Sequence, residues 1–233
     1  MPKPPADWFD RLPQTRPLAE FSLWSANLIA LDDDLTRVGR HPDLYHIDVA
    51  DGAFAPALLF FPDLVAALRK RSAIPLHVHL MVQDAILLAQ IDQFAEAGAD
   101  LISVHGENAN AAAAIDRIRT LGLRAGVVVR LETPVATVAP VLEQLDFLTL
   151  LGTSIGVKGQ SLDHSATSRL QEAARMIARR ANPARCVLAA DGGIREETVP
   201  LLIKAGAETV VLGSLAYGAP DLAARIAWLH GLK

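Results

Sequence analysis

The chain has 233 residues, 51% of them hydrophobic, enough to bury a full core within a single domain. Its formal net charge of −4 excludes the basic surface that nucleic acid or an anionic membrane selects, and no apolar run is long enough to span a bilayer. Cys186 is the lone cysteine, which excludes an internal disulfide and fits a cytoplasmic setting; Met1-Pro2-Lys3-Pro4-Pro5 is not followed by the apolar stretch of a signal peptide.

Taken in chain order, residues 1–20 read as a proline-rich arm with a short amphipathic leading helix, and residues 21–233 as one domain. Phe21 to Asn27 is expected to be the first strand, and Asp32-Asp33-Asp34 the acidic first turn of a short helix. An alternation follows. Strands are predicted over Leu44–Val49, Leu76–Val82, Leu101–His105, Arg124–Arg130, Phe147–Leu151, Cys186–Ala190 and Thr209–Leu212. Between and after them, helices are predicted over Pro62–Arg71, Asp84–Ala97, Ala109–Leu121, Pro134–Gln144, Ala166–Ala181, Glu196–Ala205 and Asp221–Leu229. The run Arg69-Lys70-Arg71 reads as a solvated helix terminus rather than a binding patch. Near-continuous apolar strands alternating with helices imply a parallel sheet covered on both faces. Eight such units predict a (β/α)8 barrel of the phosphate-binding type. A doubly wound open sheet is the alternative, but the glycine fingerprint G-x-G-x-x-G is absent after the first strand.

Barrel chemistry collects at the C-terminal ends of the strands. The polar residues expected there are Ser25, Asn27, His46, Asp48, Asp51, His77, His79, His105, Arg130, Thr153, Ser154 and Asp191. His46 and Asp48 are two apart on one strand and so point the same way. Together with His79 and Asp191 they make a candidate two-histidine, two-carboxylate site for one divalent metal: zinc, manganese, iron or cobalt. Each histidine alone reads first as a hydrogen-bonded core residue; the four residues together at strand ends point to the metal. Gly192-Gly193 and Gly213-Ser214 follow consecutive strands, where backbone N–H groups can approach a phosphate. The glycine-rich loop from Gly152 to Gln160 is placed to fold over a ligand.

These residues resemble the ribulose-phosphate 3-epimerase family over most of the chain, from about Ser25 to Tyr217. Ser25-Ala26-Asn27-Leu28 is similar to the family's opening strand. His46-Ile47-Asp48-Val49-Ala50-Asp51-Gly52, with Phe54 and Pro56, is similar to its H-x-D-x-M-D-G-x-F-x-P signature. His79-Leu80-Met81-Val82, Ala97-Gly98-Ala99-Asp100, Asp191-Gly192-Gly193-Ile194 and Gly213-Ser214 match as well. The resemblance implies a metal-dependent isomerase that epimerises C3 of a ketose phosphate through a cis-enediolate. Asp48 and Asp191 would be the acid–base pair, and His46, Asp48, His79 and Asp191 would hold the metal. Ser25 and Met81 would position the substrate; Gly192, Gly193, Gly213 and Ser214 would bind its phosphate; Gly156, Gly159 and Gln160 belong to the loop over it, where Lys158, absent from the family pattern, is placed to reach a phosphate or other anion. A homo-oligomer is also implied.

The chain departs from the family pattern at three places. Ala50 and Leu151 stand where the family has methionines, and the loop Leu151–Gln160 loses its proline and gains Lys158. Altered sugar specificity is therefore expected. An aldose–ketose isomerase could use the same enediolate, so that reading stays open. A non-catalytic sugar-phosphate binder would be expected to lack an acid–base residue, and a decarboxylase to carry a lysine beside the strand-end carboxylates.

Overall fold

The computed structural model describes residues 2–232. Eight parallel strands close on one another in sequence order: β1 (Leu18–Ser22), β2 (Leu44–Ala50), β3 (Leu76–Met81), β4 (Leu101–His105), β5 (Arg124–Val129), β6 (Phe147–Leu151), β7 (Val187–Asp191) and β8 (Thr209–Leu212). The helices α1 (Leu31–Val38), α2 (Pro62–Arg71), α3 (Asp84–Ala97), α4 (Ala111–Thr120), α5 (Ala166–Ala178), α6 (Val199–Lys204), α7 (Ser214–Tyr217) and α8 (Leu222–His230) fill the connections. This is the expected (β/α)8 barrel. No helix among the described residues is long and apolar enough to cross a membrane.

Alternation along each strand divides the side chains into two populations. Outward residues such as Phe21, Ile47, Val78, Ile102 and Val127 pack against the helices in the main apolar core. At the strand starts, inward Leu18, Leu44, Leu101, Phe147 and Val187 form a second cluster with Phe9 and Leu12. The N-terminal segment thus closes the floor of the barrel. Higher up, the interior turns polar.

Three expectations need correction. The first strand is Leu18–Ser22, not 21–27, and residues 23–25 form a 3-10 turn. The inward Glu20 concealed this strand, because a buried carboxylate breaks the apolar run. The predicted leading helix is a series of turns, closed by Trp8 N–H to Pro5 and Leu12 N–H to Phe9; prolines on both sides leave it too short to propagate. Nor is there a continuous helix over 134–144. Two 3-10 turns, Val135–Val138 and Leu142–Gln144, flank Pro140, which has no N–H to donate and crowds the preceding turn.

Arg69 also differs from expectation. Its side chain is fully buried at the end of α2. It donates to the carbonyls of Gly98 (3.1 Å), Ser72 (2.9 Å) and Ile74 (3.3 Å) and pairs with Asp100. The guanidinium therefore ties α2 to the turn that leads into β4, and only Lys70 and Arg71 of this basic run face solvent.

Candidate active site

β2 and β3 are neighbours in a register that pairs His46 with His77 and Asp48 with His79. All four side chains point into the barrel and are buried. Asp48 Oδ1 lies 3.2 Å from His46 Nε2 and 3.2 Å from His79 Nδ1. Asp191, at the end of β7, places Oδ2 4.0 Å from His46 Nε2. Ser22 donates its hydroxyl to Asp48 Oδ2 at 3.0 Å. The structure thus brings together the four residues nominated from sequence, with one potential donor atom from each lying within 4.8 Å of the others.

The surroundings push the two carboxylates in opposite directions. Burial opposes ionisation of Asp48, but the neighbouring His46 and His79 outweigh it and hold its pKa well below the usual range. Asp191 is buried with less compensation, and the Asp48 charge adds to the effect, so its pKa rises to about 6. For His46, burial disfavours the cation, yet Asp48 and then Glu20 raise its pKa well above the ordinary value. His105 is pushed down to about 4, chiefly by burial. Burial raises both Glu20 and Glu107, but His77 and His46 bring the first down to about 2, and hydrogen bonds from His105, Thr133 and the Arg130 N–H bring the second to about 2.

This cluster fits a divalent cation. Two imidazoles and two carboxylates are a donor set that first-row divalent ions accept. The buried lone pairs of Asp48 and the histidine nitrogens face one another at 3.2 Å, which is repulsive unless a cation or proton lies among them.

Above the cluster opens a cavity of about 410 Å³ lined by Asp48, His79, Met81, Leu151, Asp191 and the glycine loops. Gly192 and Gly193 both have positive φ, 86° and 69°, a conformation that L side chains rarely adopt. A Cβ on Gly192 would also come within 2.3 Å of Thr153 Oγ1. A Cβ on Gly213 would come within 2.6 Å of Ser25 Oγ, and Ser25 and Ser214 line the same cavity. Arg195 lines this end of the cavity, and among the described residues its guanidinium bonds only to the carbonyl of Ile194, at 3.4 Å. It is a cation beside a glycine cradle, suited to a phosphate.

The loop 152–160 covers one side. Lys158 reaches across the mouth, donates to the Trp24 carbonyl and stands 4.6 Å above the Trp24 indole. Gln160 lines the cavity, but its amide bonds the loop's own backbone at Ser154 and Val157, so it braces the loop. Gly156 and Gly159 are also in the wall. Asp51 turns away and accepts the N–H groups of Ala53, Phe54 and Gln83. Of the two departures from methionine, Leu151 lines the cavity, whereas Ala50 packs with Ala55 and Met81. The sequence reading missed Glu20, Ser22, Trp24 and Arg195. For the first two the signal was the same-face spacing Leu18, Glu20, Ser22, visible once the strand starts at Leu18.

Comparison with known proteins agrees with this architecture. Residues 18–217 match the ribulose-phosphate 3 epimerase family. The chain is 37% identical over 214 residues to the ribulose-phosphate 3-epimerase of Bacillus subtilis, covering 91% of this chain and 97% of that protein. It is 32% identical to the chloroplastic ribulose-5-phosphate-3-epimerase of Arabidopsis thaliana, covering 96% of this chain and 80% of that one. Among solved structures, 3-hexulose-6-phosphate synthase from Salmonella typhimurium shares the fold, with a TM-score of 0.68 at 17% identity, covering 91% of this chain and 96% of that one. The relatives that carry the family name are isomerase-class epimerases acting on sugar phosphates. With its barrel, its strand-end site and this likeness over nearly its whole length, the chain belongs to the ribulose-phosphate 3-epimerase family.

Proposed function

We propose that this chain inverts C3 of a ketose phosphate through a cis-enediolate, with Asp48 and Asp191 as the acid–base pair. The observation that carries this reading is that two carboxylates of opposite protonation tendency face one cavity. In one direction ionised Asp48 takes the C3 proton, and the C3–H electrons form the enediolate as the C2 carbonyl π electrons move onto oxygen. Protonated Asp191 then delivers its proton to the other face of C3, and the carbonyl reforms. In the reverse direction the roles exchange. His46, Asp48, His79 and Asp191 would hold a divalent cation, which would supply positive charge where the enediolate charge develops. Ser22 steadies Asp48 through its hydrogen bond to Oδ2. Gly192, Gly193, Gly213 and Ser214 hold the phosphate with their backbone N–H groups, Ser25 and Met81 flank the sugar, and Arg195 adds charge.

The sugar is a ketose phosphate other than ribulose 5-phosphate. Leu151 and the Lys158 loop support this, because they reshape the wall around an unchanged chemical centre. The test is proton exchange followed by NMR. Protein supplied with manganese, zinc or iron is incubated in D2O with tetrulose, pentulose and hexulose phosphates. Deuterium at C3 with the inverted product is the expected result. Deuterium at C1 or C2 of an aldose would replace the reading by an aldose–ketose isomerase. Equal activity on ribulose 5-phosphate would remove the altered specificity.

A further inference from the structure

Each of the two histidines facing the cation cluster is backed by a carboxylate: His46 directly by the buried Glu20, and His79 through His105 by the half-buried Glu107. On one side, Glu20 Oε1 lies 2.8 Å from His46 Nδ1 and also contacts His77 Nδ1, while His77 Nε2 lies 2.7 Å from Ser103 Oγ. A carboxylate only accepts, so both Nδ1 atoms carry hydrogen. His77 Nε2 is then bare and accepts from the Ser103 hydroxyl. On His46 that leaves Nε2, which faces Asp48, as the position where a cation would replace the second proton of the ring.

The other side resolves in the same way. Glu107 Oε2 lies 3.0 Å from His105 Nδ1, and its Oε1 accepts the Arg130 N–H at 2.9 Å. His105 Nδ1 must therefore carry the hydrogen, leaving His105 Nε2 bare. His79 Nε2, 2.9 Å away, donates to it. His79 Nδ1 is thus the free nitrogen, and it is this atom that faces Asp48. The two rings end up in opposite tautomers with both lone pairs directed at one point.

The barrel is shaped around these chains. Glu20, His77, Ser103 and His105 are all fully buried in its interior. On the adjacent strand β5, a Cβ at Gly126 would fall 2.1 Å from Ser103 Oγ. Glycine at that position is what leaves room for the serine that ends the first chain.

We propose that Glu20 and Glu107 are positioning residues for the cation site: each fixes which nitrogen of its histidine is free and strengthens it as a donor. This rests on the reading of His46, Asp48, His79 and Asp191 as ligands. Partners behind a ligand histidine contribute about ten- to a hundredfold in metal affinity in other sites, and the same loss is expected here.

The test uses the metal alone. Chelator-stripped protein is titrated with Zn2+ against a competing chelator for the wild type, Glu20→Gln, Glu107→Gln and Asp48→Asn. Tenfold or greater weakening in both glutamine variants supports the proposal. Unchanged affinity in both, with binding lost in Asp48→Asn, overturns the positioning role while leaving the ligand set standing. Failure of the wild type to bind overturns both. A second measurement does not depend on the variants folding: long-range 1H–15N spectra of the zinc-loaded wild type. They are expected to show His46 with hydrogen on Nδ1 and His79 with hydrogen on Nε2. The opposite tautomer at either ring overturns the assignment.

Discussion

Asp191 at the end of β7 and Asp48 on β2 both face Nε2 of His46, at 4.0 and 3.2 Å. The closer carboxylate is held ionised by its histidines, and the farther one rises to about 6. In the proposed mechanism each serves a different half of a proton relay across one carbon.

Replacing either carboxylate is expected to reduce turnover by about 10²- to 10⁴-fold, the range that general acid–base groups contribute. The two variants should differ in exchange. In Asp191→Asn, Asp48 still removes and returns a proton on its own face, so one epimer exchanges C3 hydrogen with D2O without inverting. In Asp48→Asn the other epimer behaves this way. Exchange of both epimers in either variant, followed by NMR, would contradict the two-face assignment.

Cation affinity is expected to rise with pH. In the metal-free protein His46 binds its proton more tightly than an unfolded histidine, whose reference pKa is 6.5. Its contribution to stability is therefore complete below 6.5 and is lost as pH rises through the raised folded value. A bound cation takes the place of that proton, so binding must expel it. Isothermal titration in buffers of different ionisation enthalpy should record proton release on Zn2+ addition. Urea unfolding of the stripped protein should show the His46 contribution shrinking as pH rises above 6.5.

Arg69 is expected to be a stability residue. Arg69→Ala removes the donor to three half-buried carbonyls and leaves Asp100 with only the Leu76 N–H, which should cost about 3–5 kcal/mol by urea unfolding. Gly98→Ala tests the same corner from the other side. Its φ is +104°, and the added Cβ would lie 2.8 Å from Arg69 Cγ, so a loss of more than about 1 kcal/mol is expected.

Arg195→Ala is expected to raise KM for the sugar phosphate about tenfold or more, with kcat changed much less, because a charged hydrogen bond to a remote phosphate acts equally on ground and transition states. Steady-state kinetics on the substrate identified by exchange would check this. A fall in kcat with KM unchanged would place Arg195 nearer the reacting carbon.

The repeat of apolar strands and helices made the barrel legible, and the same-face spacing of His46 and Asp48 made the centre legible. Both signals are local and periodic. What escaped is long-range. Glu20 lies 26 residues from His46 and 57 from His77 in sequence, and a lone glutamate in a strand pattern carries no sign of its partners. Lys158 and Trp24 meet across 134 residues of chain. The basic run at the end of α2 was misread for a related reason: a periodicity shows which face a residue occupies, but not that carbonyls from a later turn will surround it. Pro140 was visible in the sequence, and the helix over 134–144 should have been broken there.

Phe9 and Leu12 seat against the first inward layer of the barrel, with Arg185 gripping the carbonyls of Leu12 and Pro13. The vessel is stoppered at its base. In the proposed reaction substrate and epimer both use the cavity at the opposite end, where Lys158 rests on Trp24. Two molecules that differ at a single carbon then face the same latch on entry and exit, so loosening it should speed the passage of both and leave the equilibrium between them where solution chemistry sets it.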